Sequence, residues 1–419
     1  MPAVRRLVAL FAFVLVVAAC SSGHSKSAST TTTTTTTSPT APQDGTLFTG
    51  SDDDFYVVPS PLPPGHPGDV IRVQQLSLPD VHDATVYRVM YHSQSLHGDD
   101  IAVTGLISVP TAPAPPGGRN IVSWAHGTTG LADECAPSKK PDVTSVGALA
   151  QPFFDEGDIV VATDYEGLGT PGVHPYIVGE SEARGVIDIV RAARHLSFAQ
   201  AGDRFVVWGH SQGGHAALFA NQIASTWAPE LHLLGTEAGA PATELPLLGA
   251  LLRNAPDESL LLMVADGFHA AYPDVDLHAV LTDKALSLLP VVEHGCGITH
   301  DELHVPYDQL VKADPATTEP FASLLQQNDP GHVRSDSPLF IVHGGADELI
   351  PPVASQLLFN RLCSLGQVVT RTVYDGQTHA GVVPVAFEDI KQWIDDRFAG
   401  KPAPSGCPPP GAPTTQTSS

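Results

Sequence analysis

Sixteen residues near the middle of the chain, FVVWGHSQGGHAALFA (205–220), constrain its fold more than any other segment. An apolar run that is typical of a buried strand ends at Gly209, and a helix-like apolar run follows Gly213 at once. Ser211 lies between them and completes the pattern G-x-S-x-G, which predicts a strained strand-to-helix turn. Glycine suits both flanking positions because a Cβ atom there would clash in so tight a turn. The segment therefore predicts an exposed, nucleophilic serine hydroxyl at the edge of a sheet.

The segments around this turn predict an α/β fold. Segments 69–78, 85–93 and 101–109 partly alternate between apolar and polar residues, as half-buried antiparallel strands do. Segments 120–127 and 158–165 are more continuously apolar, as buried parallel strands are, and further strands are predicted at 339–347 and 368–376. A helix is predicted over 180–196, and a closing helix carries Pro384 near its start and Gly400 at its end. This alternation indicates a mostly parallel central sheet with helices on both faces.

A serine hydroxyl needs a general base, and the base needs an orienting carboxylate. In folds with this turn the acid and then the histidine follow the serine along the chain, each just after a strand. Asp347 follows the apolar strand at 339–347, and His379 follows the last strand. We therefore predict Ser211, Asp347 and His379 as catalytic residues.

Other residues could fill these roles. Glu348 is the alternative acid, whereas Asp375 sits at a strand end and suits a turn better. His210 is fixed beside the serine and is poorly placed to reach its Oγ. His215 lies on the following helix, where a packing role is favoured.

Stabilising an oxyanion requires two backbone N–H groups. One is predicted from Gln212, the residue after the serine, and the other from the turn in NIVSWAHGTTG (120–130). Thr128 is the preferred donor there, with Gly127 and Thr129 as alternatives. The loop TDYEGLG (163–169) also follows a strand, and a structural role is favoured for its three polar residues, Asp164, Tyr165 and Glu166.

The N-terminal segment has the features of a targeting sequence. Two arginines precede a short apolar run in MPAVRRLVALFAFVLVVAAC, which predicts a signal peptide over 1–19. The ending VVAAC resembles the lipobox of bacterial lipoproteins, which implies export, lipidation of Cys20 and anchoring to the outer side of the cell membrane. The alternative is an ordinary secreted protein that is cleaved nearby. Residues 20–45 are rich in serine and threonine and predict a flexible tether.

The remaining chain is divided by its helical middle. Residues 46–240 and 336–400 carry the strand signals and predict two parts of one α/β core. Residues 241–335 have few strand signals and predict a helical insertion that lies over the sheet as a cap, although ordinary core helices are the alternative. Residues 401–419 form a proline-rich tail.

Charge and residue spacing limit the possible partners. The formal net charge of −24 argues against nucleic acid as a partner, because such a surface repels phosphate groups. Cys296, His300 and His304 have spacings that could suit a metal, but Asp301 stands where the zinc-protease pattern requires glutamate. No metal and no cofactor is therefore predicted.

Four cysteines remain once Cys20 is set aside: Cys135, Cys296, Cys363 and Cys407. An even number in an exported protein predicts two disulfides, and the spacing alone leaves three pairings open.

Several motifs together resemble the secretory lipase family, the fungal lipase A type with its bacterial relatives. The resemblance rests on AHGTTG, ECAPS, DYEGLG, HPYIVGESEARGVIDIVRAAR, GHSQGGHAALFA and HGGADELIPP, and it covers most of residues 60–400. It implies an α/β-hydrolase fold with a helical cap and hydrolysis of carboxylic esters, including acylglycerols. It also implies the same Ser-Asp-His triad and the pairings Cys135–Cys296 and Cys363–Cys407.

Two other functions remain open at this level. A non-catalytic lipid-binding lipoprotein could use a hydrolase fold, and an acyltransferase or peptidase could use the same triad. All three triad members are present in the expected order, which favours a catalyst over a binding protein.

Overall fold

A computed structural model describes residues 44–142, 149–251, 258–297 and 305–409 of the 419-residue chain. The predicted signal peptide, Cys20 and nearly all of the predicted tether lie outside these ranges, as do His300, His304 and most of the proline-rich tail. Within the described ranges, no helix has the length and apolar character needed to span a membrane.

One sheet of ten strands forms the centre of the described structure. The strands are β1 Thr46–Leu47, β2 Val70–Leu76, β3 Ala84–Gln94, β4 Asp100–Pro110, β5 Arg119–Ala125, β6 Ile159–Thr163, β7 Ala201–His210, β8 His232–Gly239, β9 Leu339–Gly344 and β10 Val369–Tyr374. They lie in the order β1-β2-β3-β4-β6-β5-β7-β8-β9-β10.

The strand directions confirm the predicted fold class. Neighbours from β2 through β3 and β4 to β6 are antiparallel, and those from β6 through β5, β7, β8 and β9 to β10 are parallel. The partly alternating segments thus form the antiparallel side, and the continuously apolar segments form the parallel centre. Strand β8 is the one long strand that the sequence analysis did not predict.

Helices cover both faces of the sheet. They are α1 Asp52–Phe55, α2 Gln151–Glu156, α3 Gly179–His195, α4 Gln212–Trp227, α5 Leu245–Leu251, α6 Glu258–Ala271, α7 Asp283–Leu286, α8 Leu289–Glu293, α9 Tyr307–Leu310, α10 Phe321–Gln327, α11 Pro352–Ser364 and α12 Val382–Phe398. Short 3-10 turns lie at Asp133–Cys135, Pro137–Lys139, Ser197–Ala199 and Leu277–Ala279.

Alternation along β7 shows how the two faces are filled. Phe205 and Val207 pack into one core with α3 and α4, whereas Val206 and Trp208 pack into another with α2 and α12. Successive side chains of a strand point to opposite faces, so a strand that is apolar at every position must be covered on both.

The stretch between β8 and β9 has a hydrophobic core of its own. It contains the described helices α5 to α10. Leu262, Phe268 and Leu281 are fully buried there, and Tyr176 and Ile177 from the main fold join the same cluster. The stretch therefore packs on the sheet domain through the segment that precedes α3.

Both predicted disulfides are confirmed. Cys135 pairs with Cys296, and Cys363 pairs with Cys407. The first link joins the loop after β5 to the stretch between β8 and β9, and the second joins α11 to the C-terminal segment.

Candidate active site

The turn between β7 and α4 has the strained backbone that the sequence predicts. Ser211 has φ 60° and ψ −120°, a conformation that residues with a side chain rarely adopt. Its backbone N–H donates to the carbonyl of Gly239 at 2.9 Å, and its carbonyl accepts from the N–H of His215 at 3.1 Å. These bonds hold the serine at the carboxyl edge of the parallel strands.

The two flanking glycines are required by close backbone contacts. A Cβ atom at Gly209 would lie 2.2 Å from the carbonyl oxygen of Gly213. A Cβ atom at Gly213 would lie 1.9 Å from the carbonyl oxygen of Ala125. Backbone atoms cannot move aside cheaply, so a side chain at either position would strain this turn.

Asp347 lies just after β9 and is surrounded by hydrogen-bond donors. Its Oδ1 accepts from the backbone N–H groups of Leu349 and Ile350, at 2.9 and 2.8 Å. Its Oδ2 lies 2.8 Å from Nδ1 of His379 and 3.2 Å from Nε2 of His343. Burial alone would raise the pKa of Asp347, but the two histidines and the backbone donors outweigh it and hold that pKa well below its usual range.

His379 lies in the turn after β10, and two neighbouring acids hold different parts of it. Asp347 contacts the ring, whereas Glu348 accepts a hydrogen bond from the backbone N–H of His379 at 3.0 Å. Because Nδ1–H donates to Asp347, Nε2 is left as the basic nitrogen. Asp375, the other acid considered, lies in the turn that follows β10.

One cavity of about 620 Å³ contains both Ser211 and His379 in its wall. Gly127, Thr128 and Gln212 also line it, as the oxyanion prediction requires, whereas Thr129 is not among its lining residues. The rest of the wall is mainly apolar and includes Leu245, Leu248, Leu260, Leu261, Val264, Val280, Leu281, Phe321, Leu325, Leu349, Ile350 and Val383. We call this space the central cavity.

His210 also lines the central cavity, but it differs from His379 electrostatically. The two rings lie 4.7 Å apart between centroids, and Nε2 of His210 is buried with no hydrogen-bond partner among the described residues. Burial and the neighbouring His379 lower the pKa of His210 to about 3. His210 is therefore a neutral ring that packs against His379.

The polar residues of the loop 163–169 have structural partners. Asp164 accepts hydrogen bonds from Ser138 and Thr104. Tyr165 donates to the carbonyl of His126 at 3.0 Å. None of the three polar residues of this loop is among the residues that line the central cavity, in agreement with the structural role favoured from the sequence.

No group of three or more potential metal ligands occurs within the described ranges. Cys296, one of the residues with suitable spacing, is used in a disulfide.

Four residues near the site were not identified from the sequence: His174, Tyr176, Glu182 and His343. His343 lies in the apolar strand FIVHGG, where one wholly buried histidine among apolar residues is the available signal. The other three come from the segment HPYIVGESE. Its mixture of apolar and polar residues does not predict the buried hydrogen bonds that these side chains make.

Comparison with known proteins identifies the family. A sequence profile described as secretory lipase matches residues 142–406, more than half of the chain. The chain belongs to the secretory lipase family. Family membership and the named relatives make it a hydrolase of the lipase and esterase class.

Individual relatives are distant but cover most of the chain. Lipase A from Moesziomyces aphidis is 24% identical over 393 residues, which covers 84% of this chain and 83% of that protein. A Mycobacterium tuberculosis protein named "Probable inactive lipase" is 25% identical over 387 residues and covers 84% and 83%. The crystal structure of Candida antarctica lipase A matches with a TM-score of 0.72 at 22% identity, over 85% of this chain and 88% of that one. This structural match confirms the α/β-hydrolase fold.

Proposed function

We propose that the protein hydrolyses carboxylic esters through an acyl-enzyme formed on Ser211. The observation that carries this proposal is the joint placement of Ser211 and His379 in one cavity, with Asp347 on Nδ1 of His379. A serine, a histidine base and an orienting carboxylate are the groups that acyl transfer needs.

The reaction follows from the protonation pattern of these groups. Nε2 of His379 takes the proton of Ser211 as Oγ attacks the ester carbonyl carbon. The carbonyl oxygen becomes an oxyanion, which accepts hydrogen bonds from the backbone N–H groups of Gln212 and Thr128. His379 then gives its proton to the leaving alcohol, and the acyl group remains on Ser211. A water molecule then attacks the acyl-enzyme in the same way, with His379 as the base, and the carboxylic acid leaves as the proton returns to Oγ of Ser211.

Asp347 serves this cycle in two ways. It fixes the tautomer of His379 with Nε2 free, and its negative charge stabilises the imidazolium that forms in each half-reaction. The hydrogen bonds from the backbone N–H groups of Leu349 and Ile350, and the nearby Nε2 of His343, favour the ionised form of Asp347 that both roles require.

The wall of the central cavity supports an apolar acyl group as the part of the substrate that is bound. Leu261, Phe321 and other aliphatic or aromatic side chains line it, and few polar groups are present beyond those of the proposed chemistry. We propose acyl esters, acylglycerols among them, as the substrates. The stretch 241–335 would then be a cap that supplies the acyl-binding wall.

Export and anchoring are part of the proposal. The family is secretory, and both disulfides need an oxidising compartment. We propose that the mature protein is held at the outer face of the membrane through a lipidated Cys20. Release of a Cys20→Ala variant into the medium would support anchoring, and unchanged membrane retention would refute it.

A relative named as inactive makes a non-catalytic role the second candidate. The hydrogen bond between Asp347 and His379 favours catalysis, because a binding protein has no need of an oriented basic histidine.

The decisive experiment compares Ser211→Ala with wild type. The assays are hydrolysis of p-nitrophenyl esters from acetate to palmitate, hydrolysis of a triacylglycerol emulsion and labelling by a fluorophosphonate. We expect turnover to fall by about 10⁶-fold and labelling to disappear while the fold is retained. Ser364→Ala, at the exposed end of α11, is the matched control and should behave as wild type. Wild-type protein that is folded but neither labelled nor active would support the binding role.

The same assay separates hydrolysis from acyl transfer. Adding an alcohol acceptor to the ester reaction should leave the free acid as the main product. If ester of the added alcohol dominates at low acceptor concentration, the protein is an acyltransferase.

A further inference from the structure

A wholly buried carboxylate contacts the side chain of Gln212, one of the two proposed oxyanion donors. Glu182, on α3, is 0% exposed. Its Oε1 accepts from the side-chain amide of Gln212 at 2.9 Å and from the backbone N–H of Ile177 at 3.1 Å. Its Oε2 lies 2.6 Å from Nδ1 of His215. The Glu182 carboxylate thus joins α4, which carries Gln212 and His215, to the segment before α3.

Gln212 is held at both hydrogens of its side-chain amide. One contact is to Glu182 and the other is to Nε2 of His174, at 2.8 Å. Nδ1 of His174 lies 2.8 Å from the carbonyl of Glu166, so Nδ1 carries the proton and Nε2 accepts. Burial lowers the pKa of His174 to about 4, which keeps the ring neutral and suited to this role. Gln212 therefore has a fixed orientation next to the strained backbone of Ser211.

The same carboxylate also holds the segment that reaches the second oxyanion donor. Tyr176 and Thr128 share a hydrogen bond between their hydroxyl groups at 2.7 Å. The neighbouring residue, Ile177, has φ 58°, which is strained for a β-branched residue. Such a conformation persists only when the surroundings enforce it, and the bond from Ile177 N–H to Glu182 does so.

We propose that Glu182 is a positioning residue for the oxyanion hole, fixing Gln212 directly and Thr128 through the segment His174–Ile177. This inference rests on the proposed function, because it assigns Gln212 and Thr128 the role of oxyanion donors. Preorganised donors stabilise a transition state only when they stay in place as charge develops, so a loss of position costs rate.

His215 resolves an electrostatic conflict in this arrangement. An unpaired carboxylate near the oxyanion would repel it and slow the reaction. Both ring nitrogens of His215 face acceptors, Glu182 on one side and the carbonyl of Asn328 at 2.8 Å on the other, so both must carry protons. Burial alone would lower the pKa of His215, but the Glu182 carboxylate outweighs it and raises that pKa. The pair is therefore neutral overall while its hydrogen bonds remain.

The main test is Glu182→Gln, measured by kcat and KM on a short acyl ester and by the affinity of an alkyl boronic acid, which forms a tetrahedral adduct with the serine. Complete removal of one oxyanion donor costs about 10²–10³-fold in kcat, and we expect displaced donors to cost about 10²-fold. The KM should change by less than about 3-fold, since the ground-state carbonyl makes little use of these donors. Boronate affinity should fall together with kcat.

Asp188→Asn is the matched control. Asp188 lies on the same helix, is 0% exposed, and accepts from Ser93, Arg191 and Trp227, none of which lines the central cavity. Both variants should lower the unfolding temperature, but Asp188→Asn should keep wild-type kcat and boronate affinity. Equal effects of the two variants on kcat would overturn the proposal and assign Glu182 a purely structural role.

Two milder variants test the same idea if Glu182→Gln does not fold. Gln212→Met keeps the side-chain length and the backbone N–H but removes the amide contacts, and Tyr176→Phe removes only the hydroxyl bonded to Thr128. Each should lower kcat and boronate affinity together, by about 10-fold. Unchanged values in both folded variants would refute the inference. Failure of the proposed function itself would show differently, as retained activity in Ser211→Ala.

Discussion

Leu261 and Met263 lie two positions apart on α6 and offer a matched test of the acyl-binding wall. Leu261 lines the central cavity, whereas Met263 is absent from its wall and is buried in the core between β8 and β9. Replacing either by phenylalanine adds three non-hydrogen atoms to the side chain. Only Leu261→Phe should place them where an acyl chain binds.

The size of the effect follows from the cavity. If each chain atom takes about 30 Å³, the space a water molecule occupies, a cavity of about 620 Å³ holds about twenty atoms. A palmitoyl chain fills most of this space and an acetyl group fills little. Three added carbons should displace about three methylenes, at about 0.8 kcal/mol each. The resulting loss of about 2.4 kcal/mol corresponds to about 60-fold in kcat/KM for palmitate.

The assay is the ratio of kcat/KM for p-nitrophenyl palmitate to that for p-nitrophenyl acetate. Leu261→Phe should lower this ratio by about 60-fold and leave acetate turnover intact. Met263→Phe should overpack the core, cost about 1–3 kcal/mol in the free energy of unfolding and leave the ratio unchanged. An unchanged ratio in a folded Leu261→Phe variant would refute the acyl-binding role of this wall.

Three further predictions address the chemistry and the core. Asp347→Asn should lower turnover by about 10⁴-fold because His379 loses its orienting acceptor, and steady-state kinetics on an acetyl ester would check this. A loss of activity in Glu348→Gln instead would identify Glu348 as the acid. Gly213→Ala should lower the free energy of unfolding by about 3 kcal/mol in denaturant titrations, because its Cβ would lie 1.9 Å from the carbonyl oxygen of Ala125. Burial raises the pKa of Asp266 to about 6, so the folded protein loses stability as pH rises from about 4 to 6 and this carboxyl group loses its proton. Asp266→Asn should therefore raise the free energy of unfolding at pH 8 by up to about 3 kcal/mol, with no gain at pH 3.

The sequence predicted the elements whose local pattern and tertiary role agree. The turn around Ser211 has glycines at the positions where the backbone leaves no room for a Cβ atom. The short motif therefore predicts a close backbone contact. The continuously apolar strands β5 and β6 are covered on both faces, which is the environment that their composition indicates. Fold class was therefore accessible without coordinates.

Strand β8 was missed because two of its residues contradict its burial. Gly235 leaves space for the ring of Trp393, since a Cβ there would lie 2.5 Å from it. Glu237 is wholly buried, and burial raises the pKa of its carboxyl group far above the usual range, which favours the neutral acid in the core. A charged residue type in a strand pattern normally indicates solvent exposure, and only the surroundings reveal otherwise.

The cavity wall and the group around Glu182 could not be predicted for a different reason. Both sides of α6 are apolar, one facing the central cavity and one facing the core, so periodicity does not distinguish Leu261 from Met263. Glu182 meets Gln212 and His215 only after α3 and α4 pack together, across about thirty residues of sequence. Contacts of this kind leave no short-range pattern.

The disulfide between Cys135 and Cys296 ties the loop after β5 to the stretch between β8 and β9. It closes a loop with a sequence separation of 161 residues, and restricting the unfolded chain to this extent is worth about 5 kcal/mol. Beside this disulfide, the backbones of Cys296 and Gly130 pair as an isolated antiparallel β-bridge. The N–H of Gly297 also donates to the carbonyl of Thr129 at 2.6 Å. The turn that carries Thr128 is thus secured by residues that emerge late in synthesis and by a bond that forms only under oxidising conditions. A chain in which Cys135 and Cys296 are reduced would lack this covalent link beside the turn that carries Thr128.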